Sequence, residues 1–208
     1  MLRIYARRVR EKKEQHNAAV RLAVYAVLRA GGRAPVEFEK NSHGKPYLSG
    51  ANGGLYVNWS HSGEYVLCAV SDREVGVDIQ ENGREPGASL IRRFLRPEER
   101  ALFDRAPEEE KKSLFYRYWT VKESFVKAAG TGFAAGISGF YVRMDGKDPA
   151  ICRAAGEKTY ACRMLPFRDG GYTAAICMEE AVEAADIEYV SEEVGQDDSY
   201  GNFETVGG

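Results

Sequence analysis

Three short apolar runs that follow one another closely constrain the fold of this chain most strongly. Residues 55–59, 65–70 and 75–80 each have the length and the β-branched or aromatic content of a strand. A Ser-Gly pair and a Ser-Asp pair supply turn residues between them. Strands joined by such short turns pair antiparallel, because a parallel connection needs roughly a dozen residues or more. The sequence therefore predicts antiparallel sheet in this region.

Helical patterns lie on both sides of these strands. An apolar period of 3.6 residues predicts a helix over 11–30, which two glycines end. Two further helices are predicted over 89–104, with a restart at Pro97, and over 107–129. The remaining strand patterns cover 2–9, 36–39, 140–144, 151–154, 159–165 and 172–177, with loops over 41–54 and 130–139. This order predicts an α+β fold with mostly antiparallel sheets and packed helices.

The length of 208 residues allows one large domain or two small ones. We divide the chain at a glycine-containing break into an N-terminal lobe, 1–87, and a C-terminal lobe, 88–187. The remaining segment, 188–208, is acidic and polar. A segment of that composition buries too little apolar surface to offset the entropy of ordering, so we expect it to be disordered.

Charge and hydropathy exclude several classes of protein. A net charge of −2 argues against a general nucleic-acid binder, which would be clearly basic. No apolar stretch approaches the roughly 20 residues that span a bilayer, and the N-terminus lacks the apolar segment of a signal peptide. The four cysteines form no CxxC pair. We therefore expect a cytoplasmic protein with reduced, buried cysteines and neither a nucleic-acid nor a membrane partner.

An acidic residue interrupts the third apolar run. Alternation along a strand puts Asp78 on the face opposite Val77 and Ile79, together with Gly76 and Gln80. A carboxylate in mid-strand is costly to bury unless a positive group compensates it. Asp78 therefore lies either in water on an edge strand or opposite a cation.

A second carboxylate lies in the middle of the last predicted helix. Glu123 and Lys127 are one turn apart and share a face of that helix. The simplest interpretation is an exposed ion pair of little energetic weight. The alternative is that Glu123 and Asp78 together hold a hard cation such as Mg2+, which takes carboxylates and phosphate oxygens as ligands.

A polar segment ends the first of the three strands. Ser60 and His61 offer donors suited to a phosphate, although a lone histidine is more often structural or solvated. The chain has no zinc-ligand spacing, no G-x-S-x-G elbow, no Walker A motif and no G-x-G-x-x-G after a strand.

Taken together, five segments resemble the 4'-phosphopantetheinyl transferases. Within that family the resemblance is to the long, monomeric, two-lobed type that serves polyketide and nonribosomal peptide synthetases. The segments are Gly44-Lys45-Pro46, 58–63 (NWSHSG), 76–79 (GVDI), 93–95 with 98–99 (RFL and EE), and 119–127 (WTVKESFVK).

The resemblance implies a fold and a reaction. The fold is two similar α+β lobes related by a pseudo-twofold axis, with coenzyme A in the cleft between them. The reaction transfers 4'-phosphopantetheine from coenzyme A to a serine of an acyl- or peptidyl-carrier protein, depends on Mg2+ and releases 3',5'-ADP. Both lobes lie on one chain in this type, which implies a monomer.

The resemblance also implies the metal site and the catalytic residues. Asp78 and Glu123 match the metal-binding carboxylates, and Gln80 stands where many members have another acid. An amide oxygen there adds a ligand but no charge, so Mg2+ should bind more weakly. Glu123 and Glu99 are the candidates for the general base, and Lys127 is expected to act on the phosphates.

The positions that match coenzyme A contacts form a larger set. Gly44, Lys45 and Pro46 match a segment that lies along the adenine nucleotide. Ser60, His61, Lys122 and Lys127 match positions near the phosphates. Arg21 is a candidate for the 3'-phosphate, although basic residues of this N-terminal region do not align one to one with the family.

Two other functions stay open on the sequence. The chain could bind coenzyme A or a carrier protein as a regulator with weakened catalysis, which Gln80 favours. It could instead be a Mg2+-dependent phosphoesterase that acts on a nucleotide, which explains the acids and lysines but not the spacing of all five segments.

Overall fold

Two β-sheets packed face to face form the centre of the computed structural model, and helices cover their outer faces. The structure describes residues 1–132, 137, 139–144, 146, 148–153, 159–182 and 186–191. The strands are β1 (Leu2–Arg8), β2 (Phe38–Lys40), β3 (Pro46–Leu48), β4 (Tyr56–Ser62), β5 (Tyr65–Ser71), β6 (Val75–Glu81), β7 (Phe140–Arg143), β8 (Ala150–Arg153), β9 (Tyr160–Leu165), β10 (Tyr172–Glu179) and β11 (Ile187–Val190). The α-helices are α1 (Gln15–Arg29), α2 (Ala88–Phe94), α3 (Pro97–Phe103) and α4 (Glu108–Ala129).

The first sheet has the strand order β11-β1-β5-β4, and α1 covers its outer face. The apolar stripe of α1, with Leu22 and Val27 fully buried, packs on Tyr5 and Val66 of the sheet. Only the β1–β11 pair is parallel. Alternate side chains of these strands therefore face α1 on one side of the sheet and the second sheet on the other.

The second sheet has the order β6-β10-β9-β8-β7, and all its pairs are antiparallel. Its inner face meets the first sheet through residues such as Val77, Ile79 and Ile176. Its outer face is covered by α4 together with α2 and α3, around Phe115 and Phe125. The predicted α+β class with mostly antiparallel sheets is confirmed.

The longest helix, α4, carries clear end signals. Three glutamates, 108–110, occupy its first turn near the positive end of the helix dipole. The helix ends at Gly130, whose φ of +67° is the left-handed conformation that glycine adopts without steric cost. Its bounds agree with the helix predicted over 107–129.

The point along the chain at which strands pass from the first sheet to the second is not residue 87. Strand β6 precedes that position, yet it hydrogen-bonds to β10 in the second sheet. Strand β11 lies near the end of the chain and completes the first sheet. The second sheet therefore draws on both predicted lobes, and the first is completed by a strand that lies mostly in the predicted tail. The lobe boundaries themselves stay a prediction.

Two local predictions were wrong. The predicted loop 41–54 contains β3, which pairs with β2 as a small ribbon, because Asn41 and its neighbours form a tight turn between them. Residues 188–190 were expected to be disordered but belong to β11. Residues 192–208 and most of the loop predicted over 130–139 lie outside the described residues. None of the described helices is long and apolar enough to cross a membrane.

Candidate active site

A cleft of about 230 Å3 opens between the loop that follows β2, strand β4 and the second half of α4. It is lined by His43, Gly44, Lys45, Pro46, Asn58, Trp59, Glu123, Val126, Lys127, Gly130 and Gly132. The structure thus brings together five residues that the sequence proposed from two distant segments, namely Gly44, Lys45 and Pro46 with Glu123 and Lys127.

Lys45 fixes one side of this cleft. Its Nζ lies 2.5 Å from a carboxylate oxygen of Glu74 and donates a hydrogen bond of 3.0 Å to the carbonyl oxygen of Ala128. Glu74 precedes β6, and Ala128 is in the last turn of α4. A cation at a helix C-terminus is favourable because the helix dipole is negative there. Lys45 therefore ties the loop after β2 to the end of α4.

Strand β6 lies directly against α4. A Cβ atom added at Gly76 would overlap the carbonyl oxygen of Ser124 and the backbone nitrogen of Ala128. Only glycine permits this approach, which brings the outward face of β6 against the helix that carries Glu123 and Lys127. Asp78 is on that face, as strand alternation predicted.

The carboxylate of Asp78 is buried, and its two oxygens differ in their hydrogen bonds. Its Oδ1 accepts hydrogen bonds of 2.7 Å from the Ser60 hydroxyl and 2.7 Å from the Lys127 ammonium. Its Oδ2 has no hydrogen-bond partner among the residues that the structure describes. Lys127 also donates to the carbonyl oxygen of Val77, at 3.2 Å. Asp78 is thus compensated by a cation on one oxygen and bare on the other.

The pKa of Glu123 is shifted by the same surroundings. Burial and, to a smaller extent, the charge of Asp78 raise the pKa of its carboxyl group, Lys127 acts in the opposite direction, and the net result is a pKa of about 7. The two carboxylates repel each other across the cleft wall, and one ammonium group does not offset that repulsion.

These residues fit a hard divalent cation. The bare Oδ2 of Asp78 and the electrostatic repulsion between Asp78 and Glu123 are both features that a dication would relieve. Gln80, half-buried, follows Asp78 on the same strand face. In the described part of the chain no three His, Cys, Asp or Glu residues form a metal-binding group. Any cation here would rely on two carboxylates and neutral oxygens.

Ser60 and His61, which both match positions near the phosphates, have different surroundings. They are consecutive in β4 and point to opposite faces of the strand. Ser60 is buried, and its hydroxyl is committed to Asp78. His61 is exposed on the face toward α1; partial burial lowers its pKa, as do the nearby Lys127 and His16, and Asp78 acts in the opposite direction. Of this pair, only His61 is open to a ligand.

Lys122 and Glu99 were expected near the phosphates and the reacting proton, but they lie away from the cleft. They form an ion pair of 2.6 Å in which neither side chain exposes any surface. Glu99 Oε1 accepts a hydrogen bond from the backbone N–H of Val142, and Lys122 donates to the carbonyl oxygen of Phe94. This places the pair among the helices that cover the second sheet, and neither residue lines the cleft.

The remaining residues fall outside the expected pattern. Arg21 is half-buried on α1 and is not among the residues that line the cleft, so its contact with a phosphate stays a prediction. Glu74 and Asn58 were not among the predicted site residues, although Asn58 belongs to the quoted segment 58–63. The side-chain oxygen of Asn58 accepts the N–H of Val77 at 2.9 Å. Alternation on β4 would have placed Asn58 on the same face as Ser60.

Comparison with known proteins identifies the family. The family model of the 4'-phosphopantetheinyl transferase superfamily matches residues 74–177. The 4'-phosphopantetheinyl transferase HetI of Nostoc sp. is 42% identical over 103 residues, which cover 48% of this chain and 44% of HetI. A 4'-phosphopantetheinyl transferase of Bacillus subtilis is 31% identical over 163 residues, which cover 71% of each chain.

Similarity to solved structures is weaker. A holo-(acyl-carrier-protein) synthase of Bacillus anthracis superimposes with a TM-score of 0.45 at 22% identity, over 52% of this chain and 96% of that chain. The assignment therefore rests on the sequence relatives and on the family model. On that basis the chain belongs to the 4'-phosphopantetheinyl transferase superfamily.

Proposed function

We propose that this protein transfers 4'-phosphopantetheine from coenzyme A to a serine hydroxyl of an acyl- or peptidyl-carrier protein, with Mg2+ as cofactor and 3',5'-ADP as the other product. The observation that carries the proposal is the cleft in which Gly44, Lys45 and Pro46 face Glu123 and Lys127, with Asp78 bonded to Lys127. Family membership makes a substrate with a pyrophosphate the natural occupant.

The charges of the cleft suit such a substrate. Coenzyme A carries about four negative charges, so cationic groups must surround it even in a protein of net charge −2. Lys127 and Lys45, which line the cleft, supply two of them. Asp78 and Glu123, with the amide oxygen of Gln80, would hold Mg2+. Once bound, Mg2+ would neutralise charge on the pyrophosphate oxygens and orient them.

The chain's own residues have separate tasks in this proposal. Lys127 stabilises the charge that builds up on phosphate oxygens and keeps Asp78 in place. Glu123 lines the cleft, and in this proposal its carboxylate accepts a proton from a hydroxyl bound there. The serine oxygen forms a bond to the phosphorus that bears pantetheine, the bond from that phosphorus to 3',5'-ADP breaks, and the serine proton goes to Glu123.

The burial of Glu99 narrows the choice of proton acceptor. Both oxygens of Glu99 are already bonded, and the side chain has no exposed surface. A group in that position cannot meet a serine of another protein. Glu123 therefore remains as the proton acceptor in our proposal, and Lys122 and Glu99 support the helix that carries it.

The test is direct. The purified protein is incubated with coenzyme A, Mg2+ and a panel of apo carrier proteins, and intact masses are measured. We expect one carrier to gain one phosphopantetheine. Asp78→Ala, Glu123→Ala and chelation should each abolish the gain, whereas Glu81→Ala, an acid on the opposite face of β6, should keep it.

Other outcomes would favour the alternatives. Tight coenzyme A binding without transfer to any carrier would indicate a binding regulator. Release of phosphopantetheine to water would indicate a phosphoesterase. The proposal also includes a monomer that acts in the cytoplasm without a nucleic-acid or membrane partner, and the mass of the protein in solution tests the first of these points.

A further inference from the structure

One face of β4 holds the free edge of β6 through side chains. Strand β6 is the edge strand of the second sheet, so one row of its backbone groups has no strand partner. Asn58, Ser60 and Ser62 alternate along β4 and share a face. Asn58 accepts the N–H of Val77 at 2.9 Å, and Ser62 accepts the N–H of Glu81 at 3.0 Å.

Ser60 differs from its two neighbours in this row. Asn58 and Ser62 bond to backbone groups, whereas the Ser60 hydroxyl donates to a side chain, Oδ1 of Asp78, at 2.7 Å. A serine hydroxyl has a single proton to donate. Ser60 is 7% exposed, and its single hydroxyl proton is committed to Asp78.

The bond from Ser60 fixes which oxygen of Asp78 is used. Lys127 also donates to Oδ1, at 2.7 Å, so two donors converge on that oxygen while Oδ2 receives none among the described residues. A buried carboxylate oxygen without a partner is unfavourable. If Ser60 did not hold the carboxylate, the side chain could rotate and share Lys127 between its two oxygens.

We propose that Ser60 is a positioning residue: it orients the Asp78 carboxylate so that Oδ2 alone is presented to a divalent cation. This inference rests on the proposed function for the identity of the cation. It assigns Ser60 to the metal site rather than to the phosphates of coenzyme A. Supporting residues of this kind tune metal affinity without contacting the metal.

The experiment measures cation binding without catalysis. Mn2+ takes the same oxygen ligands as Mg2+, and free Mn2+ is counted by electron paramagnetic resonance. We expect Ser60→Ala to raise the dissociation constant for Mn2+ about tenfold, as loss of a hydrogen bond to a charged group would. Ser60→Thr, which keeps the hydroxyl, should restore binding to within about twofold by the same reasoning.

Ser62→Ala is the matched control, because it removes a hydrogen bond between the same two strands without touching Asp78. It should leave Mn2+ binding unchanged. Ser60→Cys, of similar size but with a weak donor, serves if Ser60→Ala does not fold, and it too should weaken Mn2+ binding. Equal Mn2+ binding in wild type and in the folded Ser60 variants would overturn the proposal.

Coenzyme A binding in the presence of EDTA separates the two roles of Ser60. A positioning residue for Asp78 should leave the metal-free dissociation constant for coenzyme A unchanged on Ser60→Ala. A tenfold loss there, with Mn2+ binding intact, would make Ser60 a phosphate contact and overturn the proposal. The Mn2+ result does not depend on transfer, so it would stand even if no carrier protein were modified and the proposed function failed.

Discussion

The Nζ atom of Lys122 lies 2.6 Å from Oε2 of Glu99, and neither side chain is exposed. Both oxygens of Glu99 and the ammonium group of Lys122 have hydrogen-bond partners. Lys122 also donates to the carbonyl oxygen of Phe94 at 2.8 Å, and Glu99 accepts the N–H groups of Arg96 and Val142, each at 2.7 Å. The pair therefore joins α2, α3, α4 and β7 at one point.

Replacing one partner should be costly. Lys122→Met removes the cation and leaves the Glu99 carboxylate buried without charge compensation. We expect it to lower the free energy of unfolding by about 3–5 kcal/mol. Chemical denaturation, followed by circular dichroism, measures the change.

The double replacement Lys122→Met with Glu99→Gln serves as the control. It removes both charges, so it should be less destabilised than Lys122→Met alone. A Lys122→Met protein of wild-type stability with lost activity would instead favour a direct catalytic role and contradict the structural one.

The burial of Lys122 could have been predicted from the sequence, but its ion-pair partner could not. Residues 115, 118 and 125 belong to the apolar stripe of α4, and Lys122 falls between them at helical spacing. Helical spacing therefore favoured a buried position for Lys122, whereas Glu123 points about 100° away from it. The partner of Lys122 could not be predicted from local sequence, because Glu99 contacts it only through the packing of α3 on α4.

The strand patterns predicted which way the side chains point better than the family motifs did. Alternation correctly put Asp78 on the face opposite Val77 and Ile79, and the helices ended where glycine or proline signals predicted. The same rule applied to Ser60 and His61 would have separated them. The placement of β6 in the second sheet depends on its long-range pairing with β10, about which local sequence carries no information.

The raised pKa of Glu123 predicts a pH-dependent stability in the absence of divalent cations. Its folded-state pKa of about 7 is above the ordinary value of 4.5, so the folded protein binds more protons than the unfolded chain between these values. Stability conferred by protonated Glu123 is complete below pH 4.5 and is lost as the pH rises through about 7. Glu123→Gln should remove this dependence.

We expect Glu123→Gln to gain roughly 2 kcal/mol relative to wild type between pH 4 and pH 8, allowing for the partial exposure of the side chain. Urea denaturation in EDTA across this range measures the difference. Lys127 must remain in place for the comparison, since it opposes the shift. Parallel stability curves for the two proteins would show that Glu123 titrates normally.

The close approach of β6 to α4 predicts a strong effect at Gly76. Gly76→Ala puts a methyl group into the backbone of α4 at Ser124 and Ala128, neither of which can move as a side chain would. We expect a loss of more than about 3 kcal/mol of stability, with activity reduced in any folded fraction because Glu123 and Lys127 shift. Gly83→Ala, where nothing lies within 4 Å of the added atom, should have little effect. Equal stabilities of the two variants would contradict the packing described for β6.

Gln80 sets the charge of the proposed metal site, and changing it should alter two measurements in opposite directions. Gln80→Glu puts a second carboxylate on the face of β6 that carries Asp78, and a third at the proposed metal site after Asp78 and Glu123. The added repulsion should destabilise the protein in EDTA, since Asp78 and Glu123 already repel each other. In the presence of Mg2+ the same charge should tighten cation binding, and we expect the Mg2+ concentration for half-maximal transfer to fall roughly five- to tenfold.

Thermal unfolding with and without Mg2+ and transfer assays across Mg2+ concentrations test both effects. Glu81→Gln, on the opposite face of the strand, should change neither, and a Gln80→Glu protein that is destabilised without any gain in Mg2+ affinity would place the cation away from β6.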